Sequence, residues 1–142
     1  MLIQQLSIFI ANRPGHVSGL TGVLAENNID IRAAVLFDTV DYGILRTVVD
    51  KPAKALEILK KEGYVATISD VVAVELDDAT GRLHSMFAVL AEQNLNVEYS
   101  YCFVIKGRDP LFVLKTDDTM KAAKALMDKG FVLVDKSEVC SE

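Results

Sequence analysis

The chain has 142 residues, 51% of them apolar and 25% charged, with a net charge of −5. That is enough apolar material for a packed core in one ordinary domain or two very small ones. The acidic balance argues against a nucleic-acid binder, which normally presents a basic patch to phosphates.

No segment is long enough for a transmembrane helix, so no membrane association is expected. The opening Met-Leu-Ile-Gln-Gln lacks the basic start and apolar run of a signal peptide. Cys102 and Cys140 form neither a disulfide framework nor a metal-ligand spacing. A reduced, cytoplasmic protein is the expectation.

Leu6, Ile8 and Ile10 alternate as a half-buried strand does. Asn12-Arg13-Pro14-Gly15 is turn chemistry, combining a Pro that fixes φ with a Gly free of Cβ. A helix follows, with Val17, Leu20, Val23 and Leu24 on one stripe. Strands are predicted over 30–38 and 43–49. A second helix starts near Pro52, whose missing N–H costs nothing in a first turn, and ends at Gly63. A strand over 64–69 closes the unit.

The pattern then repeats. At an offset of 66, Asn12–Gly15 meets Asp78–Gly81, Glu26–Ile31 meets Glu92–Val97, and Leu6, Ile8 and Ile10 meet Val72, Val74 and Leu76. At 67, Lys54-Ala55 meets Lys121-Ala122 and Gly63-Tyr64-Val65 meets Gly130-Phe131-Val132. In the second copy Leu83, Phe87, Leu90 and Ala91 form the helix stripe, with strands at 96–105, 111–116 and 131–135. The order is βαββαβ twice, the split βαβ of ferredoxin-like folds. The expectation is an α+β protein of two tandem units, residues 1–70 and 71–135, with antiparallel sheets, helices on one sheet face, and a tail at 136–142.

A ferredoxin-like fold does not name a function, so the site has to. Gly15 lets backbone approach a ligand, and the following helix start offers N–H groups to a carboxylate or phosphate. Asn12 adds an amide suited to a zwitterion, although Asn before Pro-Gly is also a common turn residue. Asp30 could accept an ammonium group or close a turn through an Asx contact. The second copy exchanges these types, with Asp78 and Asn96 at the matching positions. Tyr99, Tyr101 and Phe103 share parity with Leu95 and Val97, which places them in the core; at a paired-domain seam a Tyr would instead line a pocket. Phe9 and Val71 have the opposite parity and are expected on the open sheet face. Arg82 and His84 read as surface residues of a helix. No nucleophile motif, metal spacing or exposed RNA-binding aromatic pair is present, so no catalysis and no cofactor are expected.

The run Asn12-Arg13-Pro14-Gly15-His16-Val17, followed by a helix and Asn28-Ile29-Asp30-Ile31, resembles the ACT domain, especially the regulatory domain of phosphoglycerate dehydrogenase. With Asp38-Thr39-Val40-Asp41-Tyr42-Gly43-Ile44-Leu45-Arg46, residues 3–135 are similar to stand-alone tandem ACT proteins. The resemblance implies a non-catalytic regulator that binds an amino acid or similar effector at paired domains. Its ligand residues would be Asn12, Arg13, Pro14, Gly15, His16, Val17, Asp30 and Ile31. A second site would use Asp78, Gly81, Arg82, Leu83, Asn96, Tyr99 and Tyr101; Thr80 stands where Pro is usual, which ranks it below the first. Asp30 replaces a ligand-binding Asn of the dehydrogenase and favours the ligand's ammonium. The resemblance also implies the alternative of a subunit that controls a metabolic enzyme, as acetolactate synthase small subunits do. Unpaired sheet edges favour a homodimer. A redox or metal-handling module would rest on Cys102 and Cys140 alone.

Overall fold

A computed structural model of the chain describes residues 2–38 and 41–140. Thr39 and Val40 of the stretch Asp38–Arg46, the first residue, and the tail residues Ser141 and Glu142 lie outside the described residues. The chain divides into two compact units. One is formed by Gln4–Ser69 with Val139 and Cys140, the other by Asp70–Glu138 with Leu2 and Ile3.

In the first unit β1 (Ile3–Ala11) leads into α1 (His16–Glu26), followed by β2 (Ile31–Asp38), β3 (Tyr42–Val49), α2 (Pro52–Lys61) and β4 (Val65–Glu75). The strand order is β2-β3-β1-β4. β1 pairs antiparallel with β3, Leu6 opposite Thr47 and Ala11 opposite Tyr42. One stripe of each helix packs on one sheet face: Leu20 and Leu24 of α1 and Ala55 and Leu59 of α2 join Leu6, Ile8, Ile10 and Leu45 in a buried cluster. Each fully buried Leu or Ile contributes about 1.5–3 kcal/mol relative to exposure. Pro52 opens α2, and Gly63 follows it at φ 88°.

The second unit repeats this plan with the later part of β4, then α3 (Arg82–Glu92), β5 (Val97–Phe103), β6 (Leu111–Thr116), α4 (Thr119–Asp128) and β7 (Val132–Leu133). Its order is β5-β6-β4-β7. Val72, Val74, Met86, Leu90, Leu114, Ala122 and Leu126 form its core. β4 is therefore one continuous strand that closes the first βαββαβ unit and opens the second, where periodicity predicts two strands.

The segment read as a tail carries a helical turn, α5 (Lys136–Val139). The Arg108 guanidinium forks between Glu75 at 2.8 Å and Glu138 at 2.9 Å, and Glu138 also accepts from the Asp135 N–H at 2.6 Å. Those carboxylates hold the arginine pKa above its ordinary value despite the opposing effect of burial. A sequence scan cannot see a helix whose anchor lies 30 residues upstream.

Both second strands contain a β-bulge, between Ile31 and Ala33 and between Val97 and Tyr99. One extra residue reverses the inward and outward alternation. Ile31 and Val97 pack on the helix-side cores. Tyr99 and Tyr101 then fall opposite Lys115 and Val113, on the face away from the helices. Beyond the bulge Tyr99 and Tyr101 therefore do not share the core face of Leu95 and Val97, contrary to their expected parity, and both are half-buried. Of the two residues expected on that open face, Phe9 is exposed but Val71 is fully buried.

Candidate functional site

Each unit places a strand–loop–helix junction where the sequence shows turn chemistry. Gly15 and Gly81 are the N-caps of α1 and α3, at φ 85° and 88°, a left-handed conformation that costs an L residue about 1–2 kcal/mol. Neither helix has a side-chain cap. Their first-turn N–H groups, carrying the positive end of the helix dipole, are left without a protein carboxylate.

At the first junction Asn12, Arg13, Pro14, Gly15 and His16 are all exposed and Val17 is half-buried. The turn is held by the Arg13 N–H donating to the Ala11 carbonyl at 2.9 Å and the His16 N–H to the Arg13 carbonyl at 3.3 Å. Asp30 and Ile31 do not join this loop within the unit. Ala11 lies opposite Tyr42 and Ile31 opposite Val49, so the two positions are separated by the length of β3. Seven residues of strand correspond to ~23 Å. The Asp30 carboxylate instead pairs with Arg32 at 2.7 Å, with both side chains exposed. An incoming ammonium would compete with that guanidinium.

Asp30 has a structural duty through its backbone. Its N–H donates to Asp50 Oδ1 at 2.8 Å, and its carbonyl accepts from the Asp50 N–H at 3.0 Å. The second unit repeats this clasp, Asn96 N–H to Asp117 Oδ1 at 3.0 Å and Asp117 N–H to the Asn96 carbonyl at 3.3 Å. The exchange of amide and carboxylate at 30 and 96 therefore leaves the clasp intact, because it uses main-chain groups.

At the second junction a cavity of about 210 Å³ opens. Asp78, Gly81, Arg82 and Leu83 line it, together with Asp77, Pro110 and Phe112 among others. Arg82 Nε donates to Asp77 Oδ1 at 2.9 Å while the guanidinium carbon sits 4.6 Å from the centre of the Phe131 ring. The loop thus fixes a cation and leaves Asp78 exposed beside it. Asn96, Tyr99 and Tyr101 do not line this cavity. The wall residues Asp77, Pro110 and Phe112 were missed by sequence reasoning. One signal was present: Asp77 and Arg82 together replace Ala11 and His16 of the first copy.

A larger cavity, about 360 Å³, lies between α3 and α4. It shares no residue with either loop. Among the described residues no three His, Cys, Asp or Glu side chains gather as a metal site, and Cys102 and Cys140 form no disulfide with each other. Desolvation pushes the Cys102 thiol pKa up, away from the reactive thiolate.

The model of the ACT domain pair matches residues 1–141. The chain belongs to the ACT-domain family. As an ACT pair it is a non-catalytic, regulatory module of the small-molecule-sensing kind. Its fold is similar to protein BT0572 from Bacteroides thetaiotaomicron, at 31% identity and a TM-score of 0.91, covering 98% of this chain and 96% of that one. The regulatory subunit of aspartate kinase from Thermus thermophilus shares the fold at 17% identity and a TM-score of 0.65, covering 91% and 94%. That from Thermus flavus does so at 19% and 0.59, covering 90% and 93%. No curated protein matches. Among the described residues of this ACT pair, no helix is long and apolar enough to cross a membrane.

Proposed function

We propose that this ACT pair senses a small α-amino acid, seated at the loop that opens α3, with the Asn12–Val17 loop as its counterpart in the first unit. The observation that carries the reading is the cavity beside Asp78 and the uncapped first turn of α3. The ligand's carboxylate meets the helix N–H groups and its ammonium meets Asp78, so opposite ends of a zwitterion find opposite charges. A volume of about 210 Å³ favours a small ligand. Drug-sized ligands occupy about 300–1,000 Å³.

A thermal-shift screen of the twenty amino acids, followed by calorimetry on any hit, tests this. Asp78→Asn should weaken the hit about tenfold, the value of one charge-assisted hydrogen bond. Asn12→Ala should matter only if the first loop also binds. Silence across all twenty amino acids would end the proposal.

The reading extends to a cytoplasmic homodimer that passes the ligand signal to a metabolic enzyme. Phe9, Phe37 and Tyr42 on the first unit are large, exposed apolar groups, with the Phe9 and Tyr42 rings 6.1 Å apart. Such a patch supports self-association. The fold shared with aspartate kinase regulatory subunits supports an enzyme as the receiver. Light scattering should give twice the chain mass, and Phe9→Ser with Tyr42→Ser should shift it toward monomer. Affinity capture should retrieve one stoichiometric enzyme whose binding changes with the ligand.

A further inference from the structure

The cavity between α3 and α4 has a chemistry that the fold itself does not require. Val89 and Gln93 of the α3 side face Lys121, Lys124, Ala125 and Lys129 of the α4 side around about 360 Å³. Asp128 is the one carboxylate on its wall. Lys121 Nζ donates to the Gln93 carbonyl at 3.2 Å, which offsets the negative end of the α3 dipole. Among the described residues the Lys124 and Lys129 ammonium groups make no ion pair and no hydrogen bond. The floor is apolar, formed by buried Val89 and half-buried Ala125.

The duplication supplies an internal control. At matching positions the first unit has Lys54, Glu57, Ile58, Lys61 and Glu62 where the second has Lys121, Lys124, Ala125, Asp128 and Lys129. Both sets build the same helix over the same sheet. The first set is electrically neutral, whereas the second carries an excess of two positive charges. Ile58 packs against the first core, and Ala125 leaves that volume open.

We propose that this groove seats a small phosphate-bearing anion, with Lys124 and Lys129 as the charge contacts and Lys121 fixing the wall. Flexible lysines act as point charges toward a phosphoryl group, and they suit a di- or trianion with room beside it for an apolar part. The volume is in the range of small-molecule sites. An extended nucleic acid is disfavoured, because the chain as a whole carries −5. The site is separate from the amino-acid loop, so either proposal can fail alone.

The test is calorimetry of the full chain with inorganic pyrophosphate at low salt, then with adenosine diphosphate. Wild type should bind both. Exchanging in the first unit's residues, Lys124→Glu with Lys129→Glu, should weaken pyrophosphate by about tenfold or more, the scale of two partly exposed ion pairs. Ala125→Ile should weaken the nucleotide. Unchanged circular dichroism and an unchanged response to amino acids would show that the fold and the loop site persist. If the double variant does not fold, Lys129→Gln replaces it. The proposal is overturned by no heat up to about 10 mM pyrophosphate, or by a double variant that binds like wild type. It is equally overturned if a glutamate-rich peptide competes fully while Ala125→Ile changes nothing, since that marks an unspecific basic surface.

Discussion

Replacing Asp50 by alanine removes a buried carboxylate that accepts the Asp30 peptide N–H. Asp50 is 5% exposed, its Oδ1 accepts the Asp30 N–H at 2.8 Å, and its Oδ2 lies 3.3 Å from Lys51 Nζ. In the second unit Asp117 makes the same bond to Asn96 at 3.0 Å, but Asp117 is exposed. One bond therefore occurs twice, once to a buried carboxylate and once to an exposed one. Losing a bond to a buried charged acceptor costs about 1.5–3 kcal/mol, while water replaces the exposed one at about 0.5–1 kcal/mol. Near this chain length each kcal/mol moves the melting temperature by about 2–4 °C. Asp50→Ala should lower it by about 3–12 °C and Asp117→Ala by about 1–4 °C. Asp50→Asn keeps an acceptor oxygen and should fall between wild type and Asp50→Ala. Differential scanning calorimetry of the three variants at neutral pH decides the matter. Equal losses for Asp50→Ala and Asp117→Ala, or for Asp50→Asn and Asp50→Ala, would refute the assignment of the cost to burial.

Three further outcomes follow from the same geometry. Burial raises the Asp50 carboxyl pKa, but the Asp30 N–H, Lys51 and Arg32 together outweigh it and hold the value below 3.8. A pKa depressed by folding stabilises above the unfolded value and loses that effect as pH falls through the folded one, so the gap between wild type and Asp50→Ala should narrow below about pH 4 in acid melts. Gly81→Ala places a Cβ at φ 88° with nothing within 4 Å to clash; urea titration should show a loss of about 1–2 kcal/mol from backbone strain alone. Leu126→Ala in the second core, at a fully buried position, should cost about 2–5 kcal/mol by the same measurement.

The duplication and the element order were legible because they rest on local chemistry repeated at a constant offset. Leu6, Ile8 and Ile10 alternate, Pro52 opens a helix, and Gly63 and Gly130 follow helix ends, all without help from distant residues. The bulges were not legible. An extra residue between Ile31 and Ala33 is defined only by the partner strand, so extrapolating parity from Val97 to Tyr101 crossed a break that the sequence does not mark.

The candidate site divides along the same line. By itself the sequence determined which loops carry a left-handed glycine and an open helix start, because Asn12–Gly15 and Asp78–Gly81 encode those turns within four residues. It also determined that the polar residues at 30 and 96 stand at the entry to the second strands, which start one residue later. Only the tertiary structure decided that these belong to clasps at the far end of the sheet, since strand register sets that distance. It likewise decided that Asp77, Arg82, Pro110 and Phe112 share one cavity and that Val89 and Gln93 share another with the lysines of the α4 side. Such convergence joins residues tens of positions apart, and packing alone brings them within reach.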